Sequence, residues 1–591
     1  MTFLKNKKIK GEKIMKAKKI ISMLLTLIML TGMFSAFSIS STAAGVSLPA
    51  NTVIVKLGAT ATDTSATYNG TEYTGLVYGT TLFAKIQDAI NAAKDGDTVL
   101  LCAGKYEEEV YVSKSVTIKG AKAGVDPNSG EASETEEKTL TPGRSLTDAT
   151  VETIVTTKDW YLGYSAANTL VAADTTAITV DGVVFSADGG MVSLIQDQAK
   201  TLNLSVKNCI AVDVYNSFVY TCNSGSASAG SYVRNLSFEN VRFEKYARAY
   251  SYVFLRQNAD SFILDNVYFA ATCTSARSQI ISGWEISSRA TSAEFTVKNS
   301  TFMINGKQAC FVDPALQFKS TSISLSNLSN IKISVENCKF VGSPNNTVFR
   351  PQFSQEPNNV EITFFGNTVV DCTKPIIWQN TGKKIAPARY KIDNNTFIDC
   401  TGANVSNLYV TDGTKATATK TLCIANGEVV IPKGDDKTVN FASYYKDADK
   451  KVLVGAGDKI SLVGVQQRMN GEKFDVRAVS VLNFAELDKY VRVGYKVSVK
   501  KNGTLIVDAK EISGTSVYTD IWAGEDLVSA DGLASDYIVA LSIKNFDKSA
   551  DYEVSINAYV EDETGEKYYE SIGAEFTITD GVIEAGVKGW N

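Results

Sequence analysis

One short alternation of apolar and polar positions is used over and over along this chain. In FTVKNSTF (295–302), apolar residues stand at Phe295, Val297 and Phe302, polar ones at Thr296 and Lys298, and Asn299 marks a turn. The same frame recurs as ITVDGVVF (178–185), LSVKNCIA (204–211), LSFENVRF (236–243), FILDNVYF (262–269), ISVENCKF (333–340), ITFFGNTV (362–369) and YKIDNNTF (390–397). The turn position reads Gly182, Asn208, Asn240, Asn266, Asn299, Asn337, Gly366 and Asn394, in steps of 26 to 38 residues. A period of two describes a strand with one buried face. Asn and Gly tolerate the left-handed backbone that a sharp bend needs. One such unit cannot cover its own apolar face, whereas stacked units cover one another. Three apolar columns result, beginning Ile178–Leu204–Leu236, Val180–Val206–Phe238 and Phe185–Ala211–Phe243. The expected fold is all-β: a right-handed parallel β-helix with one coil per repeat. Leucine-rich repeats need a shorter, Leu-rich frame, and propeller blades need a longer one with Trp-Asp signatures.

The flanks of the repeats follow other patterns. Leu82, Ile86, Ala89, Ile90 and Ala93 share one helical face, which predicts a cap helix over about 81–94, started by Thr80 or Thr81 and ended by Gly96. Such a helix covers the exposed edge of the first coil. SGEASETEEKTLTPG (129–143) is polar and turn-rich and reads as a surface excursion. The frame is lost in 401–457, so the β-helix is expected over 45–425, with a connection at 426–457. From 458 to 591, runs such as FDVRAVSVL, VRVGYKVSVK and YEVSINAYV alternate between polar turns, the pattern of an antiparallel β-sandwich.

DAINAAKDGDTVLLCAGKYEEEVYVSKSVTIKG (88–120) resembles the opening of the pectate-lyase-like β-helix superfamily, which includes pectate lyases and pectin methylesterases. The resemblance in fold covers roughly 80–410. Gly104, Tyr106 and Glu108 match the GxYxE element of pectin methylesterases. GVQQR (464–468), FDVRAVS (474–480) and VRVGYKVSV (491–499) resemble a C-terminal module of secreted proteins of anaerobic Gram-positive bacteria. That resemblance implies an accessory domain with a cell-surface partner.

Composition narrows the function. Lys5 to Lys19 is basic, Ile20–Phe37 is largely apolar, and small residues follow to Ala44, so 1–44 reads as a secretory signal peptide, with a membrane anchor as the alternative. No later run is long and apolar enough to span a bilayer. The remainder carries 51 basic and 63 acidic side chains, a net charge of −12. A nucleic-acid partner is therefore not expected. Histidine is absent, which excludes Ser-His and Cys-His nucleophile pairs and His-ligated zinc. The nine cysteines show no disulfide framework, although Cys372 and Cys400 lie one coil apart.

Two outward columns are candidates for chemistry. The first precedes the turn: Asp181, Lys207, Glu239, Asp265, Lys298, Glu336, Phe365 and Asp393. Its mixed signs suit solvated cross-strand pairs. The second follows each coil's later strand and holds Asp197, Arg256, Trp284, Glu285, Asp313, Arg350, Trp378 and Gln379. Trp faces stack on sugar rings, and Arg pairs bidentately with uronate carboxylates. A polysaccharide groove follows, with Trp284, Glu285, Trp378 and Gln379 as substrate-binding residues. Eliminative cleavage needs no His: Arg256 or Arg350 would serve as base, and Asp197 or Asp313 would ligate calcium and so acidify the sugar's α-proton. Asp313 with Glu285 would be the pair for hydrolysis. Gln196-Asp197 and Arg350-Pro351 resemble pieces of the esterase signatures. The pectate-lyase Trp-x-Asp-His stretch and the polygalacturonase Gly-His-Gly element are missing. The expectation is a secreted carbohydrate-active or carbohydrate-binding protein, a lyase ahead of a hydrolase or esterase if an enzyme. The alternative is a non-catalytic adhesin or structural protein of the cell surface.

Overall fold

The computed structural model describes residues 45–130, 138–156, 159–163, 176–187, 201–212, 218–220, 233–246, 254–258, 260–273, 278–285, 292–306, 309–316, 330–342, 347–349, 352–353, 360–372, 390–393, 395–400, 408–409, 415–416, 422–425, 428–429, 437–440, 445–446, 451–452, 459–470, 472–482, 490–514, 538–571 and 573–583. Residues 1–44, read from the sequence as a signal peptide, lie outside them. Among the described residues no helix is long and apolar enough to cross a membrane.

The repeat frame folds as a parallel β-helix. Its first sheet has twelve strands and carries the first two apolar columns in register: Ile178, Leu204, Leu236, Phe262, Phe295, Ile333, Ile362 and Tyr390 are successive partners. A second twelve-stranded sheet carries Phe185, Ala211, Phe243, Phe269, Phe302, Phe340, Val369 and Phe397. It ends at Leu422–Ala425, where the short antiparallel strand Glu428–Val429 closes it. The third sheet holds Val110–Val112 with Trp160–Leu162, and then the strands Val219–Tyr220, Phe254–Asn258, Ser278–Glu285, Ala309–Leu316 and Thr347–Phe349. One core runs through these coils, with rings stacked from coil to coil: Phe262 on Phe295 at 5.3 Å and Phe302 on Phe340 at 5.2 Å.

The turn column behaves as its residue types require. Asn208, Asn240, Asn266, Asn299 and Asn337 have φ between 51° and 55°, and Gly182 and Gly366 have φ of 72° and 66°. The Asn amides also bond along the axis. Asn266 Nδ2 donates to Asn240 Oδ1 (2.8 Å), Asn240 to Asn208 (2.9 Å), and Asn208 to Asp181 Oδ1 (2.7 Å). Asn394 lies outside the described residues.

The cap helix is shorter than the pattern predicts, Ile86–Ala92. Leu82 belongs to the strand Leu82–Phe83, and Thr81 Oγ1 accepts the amide of Val77 in a turn. Neither Thr80 nor Thr81 caps the helix. Glu108 does so from 22 residues away: its carboxylate accepts the N–H groups of Ile86 (2.7 Å) and Gln87 (3.2 Å). Burial holds its carboxyl above the ordinary carboxylate range. Glu108→Ala should cost about 1–2 kcal/mol, because it leaves two helix donors without an acceptor. A thermal melt checks this, and an unchanged Tm would remove the capping role.

The polar excursion is a strap. Its described flanks lie across the turns of four coils. Gly124 N donates to Asp181 Oδ1, Asn128 Nδ2 to the Asn266 carbonyl (2.7 Å), and Lys138 N to the Tyr268 hydroxyl (2.8 Å). Leu140, Leu146 and Ala149 pack on Ile154, Val184, Ile210 and Val212, the outward apolar residues of the second sheet.

The C-terminal part is an antiparallel sandwich. One sheet is ordered Lys437–Asn440, Ile460–Asn470, Lys473–Leu482, Ile538–Asp547. The other is ordered Thr504–Gly514, Tyr490–Lys501, Tyr552–Asp562, Ala574–Thr579, Val582–Ile583. Both inner faces contribute to a single core. The strand 437–440 falls in the stretch read as a connection, and pairs with 464–467. Glu570 is buried and ties the sheets together, accepting the N–H groups of Leu462 and Ala558 at 2.8 Å each.

Candidate functional site

The coils present three sheet faces, and the described contacts separate them. The first sheet carries the mixed charge column in register, from Asp181 through Lys207, Glu239, Asp265, Lys298 and Glu336 to Phe365 and Asp393. Lys207 pairs with Glu239 at 2.9 Å and Lys298 with Asp265 at 3.1 Å, all four partly exposed. These are the solvated cross-strand pairs that the sequence predicts. The second sheet is covered over its early coils by the strap. The third sheet remains.

Four of the candidate residues stand on three consecutive strands of that sheet. Arg256 is on Phe254–Asn258, Trp284 and Glu285 end Ser278–Glu285, and Asp313 is on Ala309–Leu316. Trp284 is the register partner of Gln257, one position past Arg256, and Glu285 is the partner of Asn258. Asp313 is level with Ser282, and the register shifts before Trp284 meets Leu316. The Asp313 and Glu285 backbones are therefore three positions apart on neighbouring strands, roughly 11 Å at the usual strand rise and spacing. Asp313 and Glu285 are the pair that the sequence offers for hydrolysis. Asp197, Arg350, Trp378 and Gln379 lie outside the described residues.

A calcium site needs several oxygen ligands in one place. At the level of Asp313 the register partner on the preceding strand is Ser282. Among the described residues no three His, Cys, Asp or Glu side chains converge to hold a metal.

The GxYxE element has a structural role here. Gly104 and Tyr106 are buried, the Tyr106 hydroxyl donates to the Cys102 carbonyl (2.9 Å), and Glu108 caps the helix. Four of the described cysteines are also structural. Cys209 and Cys338 are buried thiols donating to carbonyls two residues back, and burial pushes both up to about 12. Cys372 and Cys400 stack as thiols, donating to the carbonyls of Val370 and Ile398.

One feature of the third sheet was not read from the sequence. Tyr111 and Tyr161 are direct register partners, and their rings stack at 4.7 Å with 10° between planes. The signal was present in VYV (110–112) and WYL (160–162), each an outward Tyr between two buried apolar residues. The strap, inserted between those triplets, stretches their separation to 50 residues and hides the repeat. No family model, curated protein or solved structure matches this chain.

Proposed function

We propose that this is a secreted protein that binds polysaccharide along the third sheet of its β-helix, with acidic sugars favoured near Arg256. The observation that carries the reading is the placement of Arg256, Trp284, Glu285 and Asp313 on three consecutive strands of one sheet. Strands about 4.8 Å apart repeat on the scale of a sugar chain, so an outward column on these strands would meet successive sugars; by register Arg256 and Glu285 hold positions of one face, and Gln257 and Trp284 those of the other. Arg supplies bidentate recognition of uronates, and Trp supplies an apolar face. The resemblance of residues 88–120 to pectate-lyase-like proteins supports the substrate class, and 1–44 supports export. Within this reading, calcium-assisted elimination with Arg256 or Arg350 as base is the reaction to test first.

A second reading, a non-catalytic surface adhesin, is favoured by Glu108, whose capping role gives the GxYxE element a structural purpose. A glycan screen with and without calcium separates them. Trp284→Ala should weaken binding roughly tenfold, about 1.4 kcal/mol. A calcium-dependent rise in unsaturated-uronate absorbance would establish the lyase. Glycan binding without that rise supports the adhesin, and an absence of any glycan binding sinks the proposal.

A further inference from the structure

The third sheet is built differently at its N-terminal end. Val110 and Val112, like Trp160 and Leu162, are buried in the core, so Tyr111 and Tyr161 between them face outward. Both rings are partly exposed. Tyr111 is held from two sides: its N–H donates to Gln87 Oε1 (2.7 Å), and its hydroxyl donates to Glu109 Oε1 (2.9 Å). Glu109 also hydrogen-bonds Tyr161, and Asp159 lies close enough to act on that ring electrostatically. Burial, with these two acids, pushes the Tyr161 phenol up to about 12.

A stacked cross-strand pair stabilises a sheet by itself. A carboxylate at the hydroxyl ends of partly exposed rings, with a second acid nearby, adds nothing to that role. The two acids do suit a ligand that offers hydroxyl donors and an apolar C–H surface together. They also disfavour a ligand bearing its own carboxylate. Arg256 and Trp284 lie further along the same sheet. Trp160–Leu162 and Ser278–Glu285 are separated by four coil steps, on the order of 19 Å.

We infer that Tyr111, Tyr161 and Glu109 form a subsite for a neutral sugar at the N-terminal end of the glycan-binding face. The inference rests on the third-sheet reading and refines it: the bound polymer carries uncharged sugars at this end and acidic ones near Arg256. An acid, Glu109, hydrogen-bonds both rings here, whereas the uronate partner proposed above is a cation.

The test is calorimetric titration of the full chain with two probe sets: neutral cellohexaose, xylohexaose and mannohexaose, and acidic hexagalacturonate. At least one neutral hexaose should bind, and the Tyr111→Ala/Tyr161→Ala double variant should weaken it tenfold or more. Glu109→Gln is the second variant, chosen because it leaves both rings in place. It should bind the neutral probe three- to tenfold more weakly while binding hexagalacturonate more tightly. The subsite is overturned if Glu109→Gln and the double variant bind the neutral hexaoses as the wild type does, or if no neutral hexaose binds. Trp284→Ala reports on the wider reading separately. If that variant alone loses hexagalacturonate, the third face stands and only the neutral subsite fails. If it binds every probe as the wild type does, the third-face reading fails as well.

Discussion

Glu152→Ala should destabilise the β-helix by about 3–5 kcal/mol, the usual cost of removing one partner of a buried ion pair. Arg144 and Glu152 are both completely buried, with Arg144 Nε 2.9 Å from Glu152 Oε1. The guanidinium joins three parts of the chain. It bonds the Glu152 carboxylate, the Val125 carbonyl within the strap (2.6 Å) and the Asn208 carbonyl in the turn column (2.9 Å). The same Glu152 oxygen accepts the Ser145 N–H (2.9 Å). Arg144 Nη2 and Glu152 Oε2 have no bond within the protein, so the network is incompletely satisfied even before it is cut. Without Glu152 the cation stays buried without its counter-charge, and the strap loses its anchor on the second sheet. Urea unfolding should show a lower midpoint for Glu152→Ala, with Arg144→Met/Glu152→Leu regaining most of the loss because it buries no charge. A double variant as unstable as the single one would mean that the strap depends on the hydrogen bonds rather than on charge balance.

Gly182→Asn should also destabilise, by about 2–3 kcal/mol, although it installs the residue most common in that column. Asn fits the φ of 72° at this position, so backbone strain is not the obstacle. Space is. A Cβ at 182 would lie 2.1 Å from the Ala123 nitrogen and 2.3 Å from the Lys122 carbonyl carbon, both backbone atoms of the strap. The chain leaves the first sheet at Gly120, whose N–H donates to the Asp181 carbonyl (2.8 Å), and passes directly over residue 182. Gly182→Asn and Gly182→Ala should therefore lower the thermal midpoint by similar amounts. If Asn is tolerated and Ala is not, left-handed strain outweighs crowding, and the strap's path is not what selects glycine here.

The solenoid was legible because its signal is local and repeated. Each strand shows its buried face in a window of eight residues, and stacking parallel strands in register asks only that equivalent positions match. The Phe column from Phe243 to Phe340 and the positive φ of the Asn turns follow from that rule alone. The alternating runs of the sandwich were legible for the same reason. The candidate site was only partly legible. Arg256, Trp284 and Asp313 could be assigned to one sheet from their strands, but the register shift beyond Ser282 is set by backbone packing between coils. No residue type announces it.

What the sequence by itself determined was the alternation, the turn chemistry and the order of coils, all of which depend on residues close together in the chain. What only the tertiary structure decided were contacts between distant segments. Glu108 reaches back to cap a helix that its neighbouring Thr residues do not cap. A strap that looks like a polar loop is held by Asn128, Arg144 and Glu152 against four coils. Tyr111 and Tyr161 meet across 50 residues to make a surface that neither predicts alone. The physical reason is the same in each case. Short-range periodicity is fixed by the backbone's own geometry, whereas a long-range partner is chosen by which buried donor, charge or ring face is left to satisfy once the coils have stacked.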